Sequence, residues 1–383
     1  MTTHTQRAVV PAFRLSPTKL VLWAIMLTGL ALAVFRFMYG IGEVSNMSDA
    51  YSWGIWISFD LLCGVALAAG AFMTCGAFHI LGIKEFRPLV KPAVLTGFLG
   101  YLAVIIALLV DLGRPERIWH MLIYQNVHSP LFEVGMCVMA YTTVLFFEFS
   151  PMFFDWLGWR KIGHLIHRFT IGFVILGVVL STLHQSSLGS LFVMMSDKLH
   201  PLWHTPLLPV FFFFSAATAG LAMVIFESSI AANAYGHRPA VPVLGKLAKA
   251  IPWMAGVYLL MKVGELAYTG ELALLVDGSL PALFFWIEMG LWALAIVLFA
   301  LPAIRRSASG LFLSACLVVG GLMLNRFNVG LLFWNRPAGS SYFPSWMELA
   351  VSFGVISALV LTYDFVATRM ALFEDEHAAE GGH

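Results

Sequence analysis

Long apolar runs alternate with short polar interruptions along the whole chain. The runs fall at 20–37, 53–81, 93–110, 130–149, 169–183, 207–230, 251–268, 281–303, 310–326 and 344–368, ten in all. Most approach the ~20 residues that an α-helix needs to cross a ~30 Å hydrocarbon layer. They are apolar throughout rather than at every second position, which excludes the strands of a membrane β-barrel. The pattern predicts an all-α integral membrane protein of about ten transmembrane helices. It divides into a cytoplasmic tail at 1–19, a membrane domain at 20–368 and a second cytoplasmic tail at 369–383. The connections are too short for a soluble catalytic domain, so soluble chemistry must come from other subunits.

Composition sharpens this reading. The 383 residues are 60% hydrophobic and 11% charged, against about 25% charged in an ordinary soluble domain. The stretch Ala31-Leu32-Ala33 resembles a signal-peptide cleavage site. The apolar run continues through Val34 and Phe35, however, so the first run is expected to remain a span. A net charge of +1 gives no lead on a charged partner. The bilayer is the expected surrounding, and nucleic acid is not an expected partner.

The distribution of charge gives the orientation. With the N-terminus in the cytoplasm, the inner segments carry Arg7, Arg14, Lys19, Lys84, Arg87, Lys91, Arg160, Lys161, Arg168, Arg238, Lys246, Lys249, Arg305, Arg306 and Arg369. The outer segments carry only Arg114, Arg117, Lys198 and Arg336. Cytoplasmic loops are enriched in Lys and Arg, so both termini are expected in the cytoplasm, with the chain in a bacterial inner membrane.

Redox cofactors find few ligands. Cys63, Cys75, Cys137 and Cys316 are single and lie in spans, with no metal-ligand spacing, so neither zinc nor an iron-sulfur cluster is expected in this chain. A membrane cytochrome needs paired histidines at matching depth. Of twelve histidines only His79 and His184 belong to spans, and the run boundaries put them at opposite faces. Loop histidines such as His120 and His128 leave one further route to haem, which is not the expected reading.

Ionisable residues in a bilayer are costly and point to function. The boundaries place Asp60, Asp111, Glu133, His184, Lys262, Glu265, Glu288, Arg326 and Glu348 towards the outer side. His79, Glu148, Glu227 and Asp364 lie near the inner rim, with Tyr101 between. The stretch LSTLHQSSLGSL (180–191) ends the fifth run and brings His184 and Gln185 to the expected outer rim, beside Asp111, Arg114, Glu133, Trp53 and Trp56. A histidine, carboxylates and aromatic faces at one depth suit a flat, lipid-tailed molecule that exchanges protons. A quinone fits. His184 and either Asp111 or Glu133 are expected to hold its carbonyls, between Trp53 and Trp56.

The stretches WGIWISFDLLCG (53–64), DLGRPERIWHML (111–122), LHQSSLGSL (183–191), HPLWHTPLLPV (200–210), IFES (225–228) and YFPSWMELAVSFG (342–354) resemble the polysulfide-reductase membrane-subunit, or NrfD-like, family. Within it they are most similar to the ten-span subunits of hydrogenase-2-type nickel-iron hydrogenases. The resemblance runs over essentially the whole chain. It implies two four-helix bundles plus flanking helices, no haem or metal, and a menaquinone or ubiquinone near the outer face. It also implies a ferredoxin-like iron-sulfur partner on the periplasmic side, wired to a periplasmic catalytic subunit. Carried over by position, it implies proton transfer by Asp60, Lys91, Tyr101, Glu133, Glu148 and Glu227. After DLGR the segment PERIWHML departs from the hydrogenase-2 pattern towards that of the wider family. Internal support for a repeat is weak, in FDLLCGVALAAGAF (59–72) against FSAATAGLAMVIFE (214–227). Two other readings stay open: a secondary transporter using Lys262 and Glu265, and a membrane anchor without its own quinone site.

Overall fold

In the computed structural model, which describes residues 16–236, 239–335, 341–370 and 372–373, the runs fold into ten long apolar helices. They are α1 (Pro17–Tyr39), α2 (Trp56–Ile80), α3 (Lys84–Asp111), α4 (Pro130–Trp156), α5 (Thr170–Val193), α6 (Leu208–Tyr235), α7 (Val241–Thr269), α8 (Leu280–Ala300), α9 (Ala308–Leu332) and α10 (Trp346–Arg369). Among the described residues no strand exceeds an isolated bridge. The protein is therefore a multi-pass, all-helical membrane protein. Arg7, Arg14, Arg238, Arg336 and the tail at 374–383 lie outside the described residues.

The helix ends follow local chemistry. Ser16, Ser279, Ser307 and Ser345 cap α1, α8, α9 and α10, each accepting a hydrogen bond from a backbone N–H of the first turn. Three boundaries differ from the apolar runs by nine or ten residues, one being the start of α7 at Val241 rather than 251. The helix α3 begins at Lys84 rather than 93, and α5 continues to Val193 rather than ending at 183. The polar stretch does not break α5, because its serines satisfy themselves on the preceding turn. Ser187 Oγ donates to the Leu183 carbonyl at 2.8 Å and Ser190 Oγ to the Ser186 carbonyl at 3.1 Å.

Helices α2 to α5 close one four-helix ring and α6 to α9 a second. The rings meet where α6 packs on α2 and α5, while α1 lies along α10 and α10 against α3. In lipid, apolar surface alone does not drive helices together, and close approach of small residues does. A Cβ on Gly220 of α6 would lie 2.5 Å from the Gly70 nitrogen of α2, and one on Gly29 of α1 would lie 2.7 Å from the Gly354 Cα of α10. The weak repeat falls on α2 and α6, the first helix of each bundle. Gly220→Leu is expected to force the bundles apart and lower the melting temperature of the purified protein well beyond the effect of Gly256→Ala, whose added methyl meets open space. Equal melting temperatures would contradict this packing account.

Besides a π-turn at Gly76–Ile80, at the far end of α2, two further π-turns interrupt the regular helices, at Trp56–Leu61 in α2 and Asn328–Leu332 in α9. They pack against each other, with Ser58 Oγ donating to the Gly330 carbonyl at 2.9 Å. Such turns are rare and often accompany functional sites. Here they carry Asp60 and Asn328.

Candidate functional site

At the end of the first bundle that the basic residues predict to be outer, α10 opens on a capping box. Glu348 N donates to Ser345 Oγ at 3.0 Å, and Ser345 N donates to Glu348 Oε2 at 2.8 Å. The fully buried Glu348 also accepts from Asn46 N at 3.0 Å and from Tyr342 Oη at 2.6 Å. Its carbonyl accepts from the indole of Trp56 at 3.3 Å. Burial and the bond to Glu348 hold the Tyr342 phenol well above its ordinary pKa, so it remains a donor.

Asp111 ends α3 beside this knot. Arg36 of α1 donates to the Val110 carbonyl at 2.6 Å and also to the Leu112 carbonyl, so the guanidinium caps α3 rather than hydrogen-bonding Asp111. Asp111 Oδ1 is buried with no hydrogen-bond partner among the described residues, and its charged neighbours are Arg36 and Glu348. One turn into α2, Asp60 Oδ2 accepts from Ser352 Oγ of α10 at 2.6 Å.

Deeper in the bundle lies a second group. His184 is nine residues from the outer end of α5, about 14 Å along the helix. It is fully buried, with its ring 5.7 Å from that of Tyr101, which packs edge-on against Tyr141 at 4.7 Å. The Tyr101 and Tyr141 hydroxyls converge near Ser181 without completing hydrogen bonds. Among the described residues neither ring nitrogen of His184 completes one, although the Val134 backbone lies beside the ring. Gln185 Nε2 donates to the Val65 carbonyl at 3.0 Å. That acceptor is available because Ala69 N turns back to the Ala66 carbonyl, breaking the regular α2 ladder. Gln185 Oε1 has no partner among the described residues.

Towards the inner side, Glu148 is two turns below Tyr141 on α4 and beside Gly177 of α5. Glu227 of α6 accepts from Tyr363 Oη of α10 at 2.7 Å and lies near Thr96 of α3. Lys91 is exposed near the inner end of α3.

The second bundle holds a different arrangement. All four acceptor positions of the buried Glu288 are used: Oε1 by Lys262 Nζ and by Asn325 Nδ2 at 2.9 Å, Oε2 by Trp203 Nε1 and Asn328 Nδ2, both at 2.9 Å. Arg326 donates to Asn325 Oδ1 at 2.6 Å and Ser215 Oγ at 2.9 Å, over the Phe212 ring. Lys262 is thus the partner of Glu288 across α7 and α8, and not of Glu265 one turn along its own helix. With its carboxylate saturated, this network serves to fix the helices against one another.

The residues expected to share one outer site therefore separate. Trp56 joins Asp111 beneath Glu348. Trp53 turns instead towards Phe192 and Trp334, with ring centroids 5.8 and 5.7 Å away. Arg114 and Glu133 are exposed beyond the end of α3 and in the first turn of α4. The expected outer-rim position of His184 and Gln185 does not hold. Both face the bundle interior, because α5 continues ten residues past the apolar run. Tyr141, Ser181, Ser352, Tyr342 and Tyr363 belong to the polar groups without having been singled out in the sequence. Only Tyr141 left a trace there, since Cys137, Tyr141 and Glu148 recur at helical spacing on one face of α4.

Comparison with known proteins places these groups in a family context. The family model described as polysulphide reductase, NrfD, matches residues 43–332, the stretch from just before α2 to the end of α9. The chain is 42% identical over 380 residues to a protein of Nitratidesulfovibrio vulgaris, covering 96% of this chain and 97% of that one. It is 34% identical over 337 residues to the probable Ni/Fe-hydrogenase 2 b-type cytochrome subunit of Escherichia coli, covering 87% and 86%. It is 27% identical over 370 residues to the integral membrane subunit of menaquinone reductase from N. vulgaris, covering 88% and 87%. The haem that one of these names implies finds no axial pair in the two histidines of the spans. His184 packs against Tyr101 at mid-depth in α5, whereas His79 is next to the last residue of α2 and its Nδ1 lies 3.3 Å from the Cys75 carbonyl oxygen. These two histidines form no axial pair.

Proposed function

The chain belongs to the polysulphide reductase NrfD family, and from that premise we propose that it is the quinone-reactive membrane subunit of a respiratory oxidoreductase complex. It exchanges electrons between a ferredoxin-like iron-sulfur partner, docked with its catalytic subunit on the periplasmic face, and menaquinone or ubiquinone in the bilayer. The asymmetry of basic residues supports cytoplasmic termini. The similarity to hydrogenase and menaquinone reductase subunits supports a quinone-linked role.

One observation carries the reading: acid-base and orphaned polar groups are stacked through the first bundle from Asp111 to Glu148. Unpaired polar atoms in a bilayer interior are expensive, and they persist where water, a proton or a ligand uses them. Converting a quinone to quinol takes two electrons and two protons. The electrons come from the partner, so this chain's side chains must handle the protons. Asp111, whose free oxygen lies at the outer end of α3, binds the head group and gives it a proton, with Trp56 beneath and Arg114 and Glu133 on the exposed rim. Asp60 with Ser352 continues the column inward. Tyr101, Tyr141, Ser181 and His184 follow, and Glu148 or Glu227 with Lys91 opens it to the cytoplasm.

Quinone turnover and inhibitor binding by the purified complex test this order. His184→Ala is expected to slow turnover about tenfold or more, as loss of a proton-transfer group does, while inhibitor affinity stays near wild type. A matched loss of inhibitor affinity would put the head group at mid-depth instead. Glu133→Gln is expected to lower turnover in a complex that still assembles, and full activity would remove Glu133 from the mechanism. A membrane anchor alone would bring down no stoichiometric quinone when the purified complex is extracted into organic solvent.

A further inference from the structure

The connection between α4 and α5 contains a short helix, Arg160–His167, with the sequence RKIGHLIH. Helical spacing puts Arg160, Lys161, His164, His167 and Arg168 on one arc and Ile162, Leu165, Ile166 and Phe169 on the opposite one. The basic side chains are all exposed, and Arg160, Lys161 and Arg168 enter no ion pair among the described residues. No acidic residue occurs between Gly158 and Thr170. The apolar arc is also uncovered: Ile162, Leu165 and Phe169 are 42, 56 and 61% exposed.

The helix is held in place from a third side. A Cβ on Gly163 would lie 3.1 Å from Asp155 Oδ1 and 3.4 Å from the Pro151 carbonyl oxygen, so this face is seated on the end of α4. With 27 residues, α4 is about 40 Å long and outreaches the ~30 Å hydrocarbon layer. Its end therefore stands at the headgroup level. The exposed apolar arc is flanked by Trp156 of α4 and Ile171 of α5, 44 and 61% exposed, so it continues the lipid-facing surface of both spans.

We propose that the helix Arg160–His167, together with Arg168 and Phe169, is a binding site for anionic phospholipid, with Ile162, Leu165 and Phe169 in the acyl boundary and Arg160, Lys161 and Arg168 on the headgroup phosphates. An amphipathic helix with one basic and one apolar face lies in the plane of the interface in this way. Charge complementarity selects the occupant: three permanent cations in no ion pair among the described residues, outnumbering the one carboxylate beside their helix, Asp155 against Gly163, meet an anionic leaflet. Position selects lipid over a soluble anion, because the apolar arc needs a hydrocarbon surface beside the same phosphate.

The test uses the full chain in its complex, reconstituted into nanodiscs of phosphatidylcholine with or without phosphatidylglycerol. Native mass spectrometry of the released complex reads retained lipid, and hydrogen exchange of residues 157–169 reads the location. Wild type is expected to retain the anionic lipid preferentially and to exchange more slowly in its presence, an effect weakened in 0.5 M salt. In the Arg160→Gln, Lys161→Gln, Arg168→Gln triple variant the preference is expected to fall by about fivefold or more, the weight of at least one basic residue at a charged membrane surface. The charge-preserving Arg160→Lys, Lys161→Arg, Arg168→Lys variant is expected to keep it. An unchanged preference in the glutamine variant overturns the proposal. So does equal slowing of exchange by inorganic phosphate in purely zwitterionic nanodiscs, which would mean a soluble anion binds there.

Discussion

Lys262→Met is expected to destabilise the protein by about 3–5 kcal/mol, the usual consequence of removing one partner of a buried ion pair. The variant leaves Glu288 fully buried with three neutral donors, Asn325, Asn328 and Trp203, and no cation bonded to it directly, since Arg326 reaches it only through Asn325. Replacing both partners in Lys262→Met/Glu288→Met removes the uncompensated charge and is expected to recover most of the loss. Denaturation midpoints of the two variants in the same detergent decide the matter. A double variant no more stable than the single one would mean that the pair is not a closed unit. Because the network lies in the second bundle, quinone turnover per assembled complex should stay near wild type in the single variant. A selective loss of turnover would show that bundle two takes part in the chemistry.

Asp111→Asn is expected to give the largest functional effect, a fall in quinone turnover on the order of 100-fold, the lower end of what a positioned acid or base contributes. The argument rests on what surrounds Asp111. The Arg36 guanidinium is engaged by the Val110 and Leu112 carbonyls, which leaves Asp111 Oδ1 buried without a hydrogen-bond partner among the described residues. Asparagine keeps the shape and can still hydrogen-bond, but it neither gives nor takes a proton. Delivery of electrons from the catalytic subunit to an artificial acceptor should be unaffected, which separates a proton defect from failed assembly. Wild-type quinone turnover by this variant would take Asp111 out of the site. Trp56→Phe makes a milder companion, since it loses only the indole donor to the Glu348 carbonyl. A small change in inhibitor affinity is expected there.

The ten spans, the all-helical class and the absence of metal-ligand spacing were legible along the chain because bilayer thickness imposes a minimum apolar length on every crossing. The same criterion misplaced His184. An apolar run ends where polar side chains begin, whereas a helix ends where its backbone hydrogen bonds stop. In α5 the serines bond to the preceding turn and Gln185 reaches α2, so the helix runs on to Val193. Glu133 and Asp111 also read alike in the sequence, as carboxylates at span ends. Only packing distinguishes them, since Arg36 and Glu348 stand beside the largely buried Asp111 while Glu133 is exposed.

What the sequence determined by itself was the set of spans, the basic asymmetry and the family, because hydrophobic length, charge count and motif spacing are properties of the chain in one dimension. Which polar groups meet was decided by the tertiary structure. Lys262 faces Glu288 rather than Glu265, and Tyr101 faces His184, because partners on different helices are set by helix rotation and by close contacts such as Gly70 with Gly220. Those rotations depend on side-chain packing between segments up to hundreds of residues apart, which no local pattern encodes.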